Sequence, residues 1–400
     1  MPEQRSPKSG RYIQQPGGYQ AFIPAPLPPS PAVAFKGDLM RLLSDADRAL
    51  GRLDGIATVL PNPDLFVAMY VRHEAVLSSQ IEGTQSTLED VLEYEADVPG
   101  SRRRQPRDVE EVFNYVRAMN YGLLRLGDLP LSLRLFREIH KVLLEGARGQ
   151  DRRPGEFRTT QNWIGPGGCT LAEAEFVPPP PGEMITALSD MESFLHRKGG
   201  LPVLAHCAYA HAQFETIHPF LDGNGRVGRL LITLLLCERQ VLQRPLLYLS
   251  VFFKAHRAEY YDRLQAVRND GDWEGWLRFF LRGVVEVSHS ATATARSILN
   301  LRENHRAEVA TSATATQLLD VLFDKPIISV RFAERALRCS YMTAASAILR
   351  LEKAGLLTEI TGQKRNRLFR YGPYLDLFSP QVFAPMEGPS QTTESGGGAS

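Results

Sequence analysis

A chain of 400 residues is too long for one simple core and divides most naturally into two to three domains. Its content, 43% hydrophobic and 23% charged with a net charge of +1, is that of a globular protein and excludes binding of polyanions through overall charge, although local basic patches remain open. Cys169, Cys207, Cys237 and Cys339 form no CxxC pair, which argues against a disulfide framework or zinc knuckle.

Residues 1–37 are rich in Pro and Gly and end in AFIPAPLPPSPAVAF, predicting an extended arm packed through Phe22, Ile23 and Phe35. No apolar core of signal-peptide length begins the chain, so a cytoplasmic protein is expected. Residues 38–127 read as a helical region. Within it, Asn62-Pro63-Asp64 is a start signal, Leu65, Met69, Arg72, Val76 and Ser79 recur at helical spacing, and Gly83 is a stop, predicting a helix over about 64–83. Ser86 and Glu89 form a capping-box pattern ahead of Leu88, Val91 and Leu92. Further helices are predicted at about 108–126, 132–146, 183–198, 202–217, 225–240, 256–269 and 273–300, giving a mainly α fold with a helical core over 128–300. Leu230–Cys237 is the most apolar run, too short to cross a bilayer and suited to a buried helix, so no membrane partner is expected.

Two stretches break this pattern. In 157–178, the β-rich Gln161–Ile164 followed by Gly165-Pro166-Gly167-Gly168 predicts a short β-hairpin flap, closed by the rigid Pro178–Pro181 run. Residues 314–371 read as helix (316–323), helix (330–337), turn, helix (341–354), Gly355 and two short strands around Thr361–Asn366, the order of a winged helix-turn-helix domain placed at 312–372. The Ser-, Gly- and Thr-rich tail, 383–400, reads as disordered.

The chemistry is concentrated in His218-Pro219-Phe220-Leu221-Asp222-Gly223-Asn224-Gly225-Arg226-Val227-Gly228-Arg229. Gly223 and Gly225 let the backbone approach a ligand, and a new helix starting near Asn224–Arg226 points free N–H groups and a positive dipole end at the same turn, which suits phosphate. Arg226 and Arg229, three apart, offer forked donors to phosphate oxygens. Asp222 suits Mg²⁺ bridging two phosphates, and His218, which titrates near neutral pH, suits a general base. Base, metal ligand, anion cradle and charge clamps together imply displacement at a nucleotide phosphorus. There is no GxxxxGK(S/T), and no strand precedes the turn, so neither a Walker loop nor a dinucleotide fingerprint applies.

The segment matches in full the signature HPFx(D/E)GNGRxxR, and over about residues 40–300 the chain resembles Fic-family protein adenylyltransferases. The resemblance implies that ATP is bound with Mg²⁺ on Asp222. His218 then deprotonates a Ser, Thr or Tyr hydroxyl of a target protein, which takes AMP as pyrophosphate leaves. It implies an anion hole from Gly223, Asn224, Gly225 and Arg226 at the start of the Val227–Gly228 helix, and Arg229 on the γ-phosphate. It places Tyr260, Tyr261 and Asn269 along the nucleoside and a flap of Asn162, Trp163, Ile164 and Gly165 over the nucleotide. Ser78-Ser79-Gln80-Ile81-Glu82-Gly83 matches a second family pattern, Ser/Thr-x-x-x-Glu-Gly/Asn, which resembles an inhibitory helix placed before the core. There Ser78, Glu82 and Gly83 form a brake, with Glu82 neutralising Arg229. Self-modification, removal of AMP, homodimerisation and transfer of UMP stay open within the resemblance.

Blander readings stand beside these. His206 and His211 lie five apart, wrong for one helix face, and read as core or surface; Cys169 has no neighbouring cation in sequence. By spacing alone Trp163 is a hairpin anchor, and Tyr260, Tyr261, Trp273 and Trp276 are core. Residues 314–371 carry ten Lys/Arg against five Asp/Glu, a net of +5, with Lys364, Arg365 and Arg367 at the wing tip and Tyr341, Thr343, Ser346 and Arg350 on the helix that Ser340 caps. Such a domain fits either DNA or a protein partner, and a nucleotide-sensing DNA-binding regulator is the alternative function.

Overall fold

The computed structural model describes residues 9–59, 63–96, 108–146 and 152–378. The first predicted arm is a hairpin rather than a bare extended strand: β1 (Gly10–Gln14) pairs antiparallel with β2 (Gln20–Pro24), Tyr12 opposite Phe22. Pro16-Gly17-Gly18 supplies the turn, a signal present in the sequence. Phe22 is buried against Phe176, while Ile23 and Phe35 are only partly covered.

Helices α1 (Gly37–Val59), α2 (Pro63–Ile81), α3 (Leu88–Glu95) and α4 (Val109–Arg125) form the N-terminal region. α3 is capped one residue later than expected. Thr87 accepts from the Asp90 backbone, and Asp90 bonds back to Thr87, so the pair is Thr87/Asp90 rather than Ser86/Glu89. α5 (Leu133–Leu143), α6 (Pro181–Leu195), α7 (Val203–Ile217) and α8 (Asn224–Glu238) follow, then the short α9 (Ser250–Ala255), which had no clear signal, and α10 (Arg257–Asp270). α7 is buried on every face from Leu204 to Ile217, and α8 is buried from Arg226 to Leu236, so both read as apolar throughout rather than striped. Each fully buried Leu of α8 contributes roughly 1.5–3 kcal/mol, and together they fix the start of α8 against the end of α7.

α11 (Trp273–Val309) is about 55 Å long and passes its expected end at 300, and α1 packs along it. It leads into α12 (Ala313–Leu322), β3 (Ile327–Ser329), α13 (Val330–Leu337), α14 (Tyr341–Lys353), β4 (Leu357–Glu359) and β5 (Leu368–Tyr371). The three strands form an antiparallel sheet in the order β3-β5-β4, with Ile327 opposite Arg370 and Leu357 opposite Tyr371. β3 is too short to show an alternation in sequence, and the two strands flank Thr361–Asn366 instead of containing it. Leu318, Ile328, Ala333, Ile348, Leu351 and Phe369 make this unit's core.

The flap is the main departure. In place of a β-hairpin ladder, residues 157–178 form a loop with one isolated bridge, Ile164 to Phe176, and a single 3-10 turn at Leu171–Glu173. The four residues Gly165–Gly168 give the chain too much freedom to continue pairing. The expected helix start at Asn62 and the tail 383–400 lie outside the described residues. Among the described residues no helix is long and apolar enough to cross a membrane.

Candidate active site

α7 ends at Ile217, and His218 takes a left-handed conformation (φ +49°) before Pro219 turns the chain away. That conformation costs a non-glycine residue about 1–3 kcal/mol, so neighbours must hold it. Arg158, almost wholly buried, donates from Nε to the His218 carbonyl at 3.0 Å and from its other nitrogens to the carbonyls of Thr160, Pro179 and Ile217. The Asn162 amide adds bonds to the His218 and Phe220 carbonyls at 3.2 and 3.0 Å. On the far side, the Asn224 amide both donates to the Phe220 carbonyl and accepts from the Phe220 N–H, each at 2.8 Å. His140 closes the loop. Its Nδ1 accepts from the Gly155 N–H at 2.8 Å, so Nε2 carries the proton and donates to the Asp222 carbonyl at 3.0 Å, while its ring stacks on Phe220 at 3.8 Å.

The His218 ring is kept uncharged. Burial, then the charges of Arg268 and Arg158, push it down to about 4 against the pull of the Glu215 carbonyl and of Glu82. Its Nδ1 is buried and makes no hydrogen bond. Neutral imidazole is the form a general base needs.

Gly223 opens α8 with φ +77°. Val227 donates the first helical bond, to the Gly223 carbonyl, which leaves the N–H groups of Asn224, Gly225 and Arg226 at the open end of the helix. A Cβ at Gly225 would lie 2.2 Å from the Glu82 Oε1 and 2.9 Å from an Arg229 nitrogen. Glu82, the residue after α2, therefore sits over the helix end.

Arg229 is plugged by α2. It donates from Nε to the Ser78 hydroxyl at 2.7 Å and from one terminal nitrogen to the Ser78 carbonyl at 2.9 Å and to Glu82 Oε1 at 2.7 Å. Burial would raise the Glu82 carboxyl, but the Arg229 charge and hydrogen bond outweigh it and hold it below the usual range. Two further buried carboxyls stand near the same guanidinium. Burial pushes Glu215 and Glu74 up to about 7, and Tyr115 and Ser250 donate to Glu74. Gly83 ends the segment with φ +97°.

Three sequence expectations need correction. Arg226 does not face the same approach as Arg229; it is buried against Glu111 of α4 at 3.3 Å, with Asp222 at 3.5 Å. The Asn224 side chain is committed to Phe220, so only its backbone faces the turn. Tyr260 is not laid out along a ligand pocket. Its ring is buried on Phe253 and Trp276 and its hydroxyl bonds His211, whose other nitrogen bonds the Gly228 carbonyl. Tyr261 is partly exposed beneath Arg257. Asn269 accepts from the Tyr12 hydroxyl of the N-terminal hairpin. Trp163 donates to the Cys169 carbonyl, Ile164 bridges Phe176, and Gly165 packs on Cys169. Val227 and Gly228 are buried in α8. His206 stacks on Phe194, and no group of three or more His, Cys, Asp or Glu able to hold a metal occurs among the described residues.

Arg158, His140, Glu215 and Arg268 were missed. Arg268 lies over the Phe176 ring at 3.9 Å and donates to the Glu215 carbonyl, tying the flap base to α7. None belongs to a local motif.

A Fic/DOC family N-terminal model matches residues 40–124, and a Fic/DOC family model matches residues 130–236, which contain the whole of this turn. Residues 40–124 and 130–236 thus carry the two Fic/DOC family domains. Protein adenylyltransferase Fic of Aedes aegypti is 31% identical over 251 residues, covering 61% of this chain and 44% of that protein. Protein adenylyltransferase fic-1 of Caenorhabditis elegans is 31% identical over 228 residues, covering 56% and 40%. The chain thus spans less than half the length of these curated relatives. A Fic family protein of Desulfovibrio desulfuricans shares the fold, with a TM-score of 0.54 at 19% identity over 85% of this chain and 97% of that one.

Proposed function

We propose that this Fic protein is a protein adenylyltransferase held in an inhibited state by Glu82. The observation that carries the proposal is the shared turn: a neutral imidazole at one end, a row of free N–H groups in the middle, and a guanidinium covered by a carboxylate at the other. In this reading ATP lies along the turn. The N–H groups of Asn224, Gly225 and Arg226 bind phosphate oxygens, and Arg229 takes the γ-phosphate once Glu82 leaves. His218 accepts the proton of an incoming hydroxyl as its oxygen attacks the α-phosphorus. The P–O bond to pyrophosphate breaks, and AMP stays on the target.

Asp222 fits a divalent cation. Its side chain is 44% exposed beside the helix end, and its Oδ1, which accepts from Gly223, is poised there at 2.6 Å. One carboxylate is the protein share that Mg²⁺ usually takes, phosphates and water completing the shell. The cation would supply charge neutralisation between two phosphates. His140, by gripping the Asp222 carbonyl, positions that carboxylate.

The base, the N–H row and the second arginine support a nucleoside triphosphate; they do not select AMP over UMP. Four unpaired cysteines support a reducing, cytoplasmic setting. The test is incubation of the Glu82→Gly protein and its His218→Ala derivative with ATP labelled at the α- or γ-phosphate. Label on protein from α-labelled ATP alone, lost with His218→Ala, is expected. Label from the γ position, or none from either with a lysate of candidate targets, would reject the reading.

A further inference from the structure

The C-terminal unit holds a second concavity that the transfer chemistry does not use, a groove of about 660 Å³ between α13, the start of α14 and the loop joining β4 to β5. Five cations line it: Arg331 and Arg335 on the α13 side, Lys364, Arg365 and Arg367 on the loop side. Its one acid, Glu334, is already bonded to Arg331 at 3.1 Å. Arg335, Lys364 and Arg365 make no ion pair among the described residues, and all five cations are exposed. Like charges facing one another across a groove repel unless a polyanion lies between them.

The shape selects among polyanions. α14 is about 20 Å long, and its N-terminal end lies in the groove, with Ser340 capping it and Tyr341 lining the wall. Tyr341, Met342, Thr343 and Ser346 are exposed along its outer face, whereas Arg350 is turned aside to the Thr311 hydroxyl. A helix of that length with small polar and aromatic side chains at its start fits the major groove, while cations on both flanks reach the two phosphate strands. An acidic peptide would satisfy the charge but would leave the outer helix face unused.

We propose that this groove binds duplex DNA, with α14 entering the major groove and the β4–β5 loop on the phosphates. The full chain is titrated against a fluorescent duplex at several salt concentrations, beside Lys364→Glu/Arg365→Glu and beside Arg331→Ala/Arg335→Ala, all shown by melting to be folded. For the first variant, loss of two phosphate contacts predicts at least tenfold weaker binding and a salt slope shallower by about 2. The second variant, on the opposite flank, is expected to weaken binding in the same direction. Unchanged duplex affinity in both variants, or a polyglutamate peptide bound at least as tightly as the duplex at equal salt, overturns the proposal.

A different observation carries a second inference, which rests on the inhibitory reading of Glu82. Arg72 of α2, ten residues before Glu82, makes a two-pronged bond to Glu95 of α3 at 2.9 Å, and both side chains are under 10% exposed. Lys325, between α12 and β3, bonds the same carboxylate, and Asp324 lies 4.0 Å from Arg72. Phe378 packs on Tyr70 and His73 of α2, and Arg370 of β5 pairs with Glu89 of α3. The residue after Glu95, Ala96, lines the basic groove.

We infer that the C-terminal unit braces the helix that carries Glu82, so that loosening the brace releases the inhibition. Hydrogen exchange of the α2 amides and AMP transfer are measured together in Lys325→Ala. Faster exchange over residues 75–82, with raised transfer, is expected. Exchange equal to the parent overturns the brace; faster exchange with unchanged transfer spares the brace and sinks the inhibitory role of Glu82.

Discussion

The imidazole end of the His218–Arg229 segment is half-buried and the arginine end buried, and different kinds of partner cover them. His218 is held through the backbone of its loop: Arg158 and Asn162 grip the His218 carbonyl, Asn224 grips the Phe220 carbonyl, and the ring is left unused. Arg229 is held by its functional atoms, which Ser78 and Glu82 consume. One end is therefore ready for work, while the other must first give up a partner. In the proposed reading a substitution of His218 removes chemistry, whereas a substitution of Glu82, the partner at the second end, restores it.

The sharpest way to break this contrast is His218→Ala in the Glu82→Gly background, where transfer should fall about 10²–10⁴-fold, the share of a general base, with the melting temperature little changed. A smaller loss, measured with labelled ATP, would mean that the ring is not the base. Next, Glu82→Gly alone should raise transfer roughly 10- to 100-fold, since a charge-assisted hydrogen bond contributes about 1.5–3 kcal/mol. Equal rates for parent and variant with the native target would leave Arg229 unblocked in both. Arg158→Met, in the Glu82→Gly background, leaves the His218 carbonyl short of a donor. It should cost about tenfold in kcat with the KM for ATP nearly unchanged, because one lost charged bond is about 1.5–3 kcal/mol. A raised KM with unaltered kcat would place Arg158 in nucleotide binding instead.

The mildest test is pH. Burial lowers His73, His140, His206 and His218 to about 4 and His211 to about 3, while it raises Glu74 and Glu215 to about 7. Between the ordinary values, 4.5 for the carboxyls and 6.5 for the imidazoles, unfolding lets five histidines take protons and two carboxyls lose them. The unfolded chain then binds more protons, so stability falls as pH falls through this window. The melting temperature should be lower at pH 5.5 than at pH 7.5; an equal or higher melting temperature at pH 5.5 would contradict the buried neutral imidazoles.

The signature from His218 to Arg229 was legible because its parts are contiguous and glycine-rich. Glu82 was legible only as a short pattern at the end of a helix. The residues that set the geometry were not. Arg158 and His140 lie 60 and 82 residues from the groups they hold, and neither sits in a repeat of helical or strand period. The flap misled because β-formers beside four turn residues signal a hairpin, whereas the Asn162 side chain there is spent on the carbonyls of the His218 loop. In the same way Tyr260 was assigned outward by position, while its hydroxyl was needed by His211 inside.

Arg229 is 2% exposed, but the Glu82 carboxylate that covers it is 37% exposed. The bolt can therefore be drawn only from the acid's side. A mobile cation or a basic stretch of a visiting protein meets that oxygen without first prying helices apart. Dissolved salt screens such a half-open pair less than a fully exposed one, so the proposed idle transfer should rise only modestly with ionic strength.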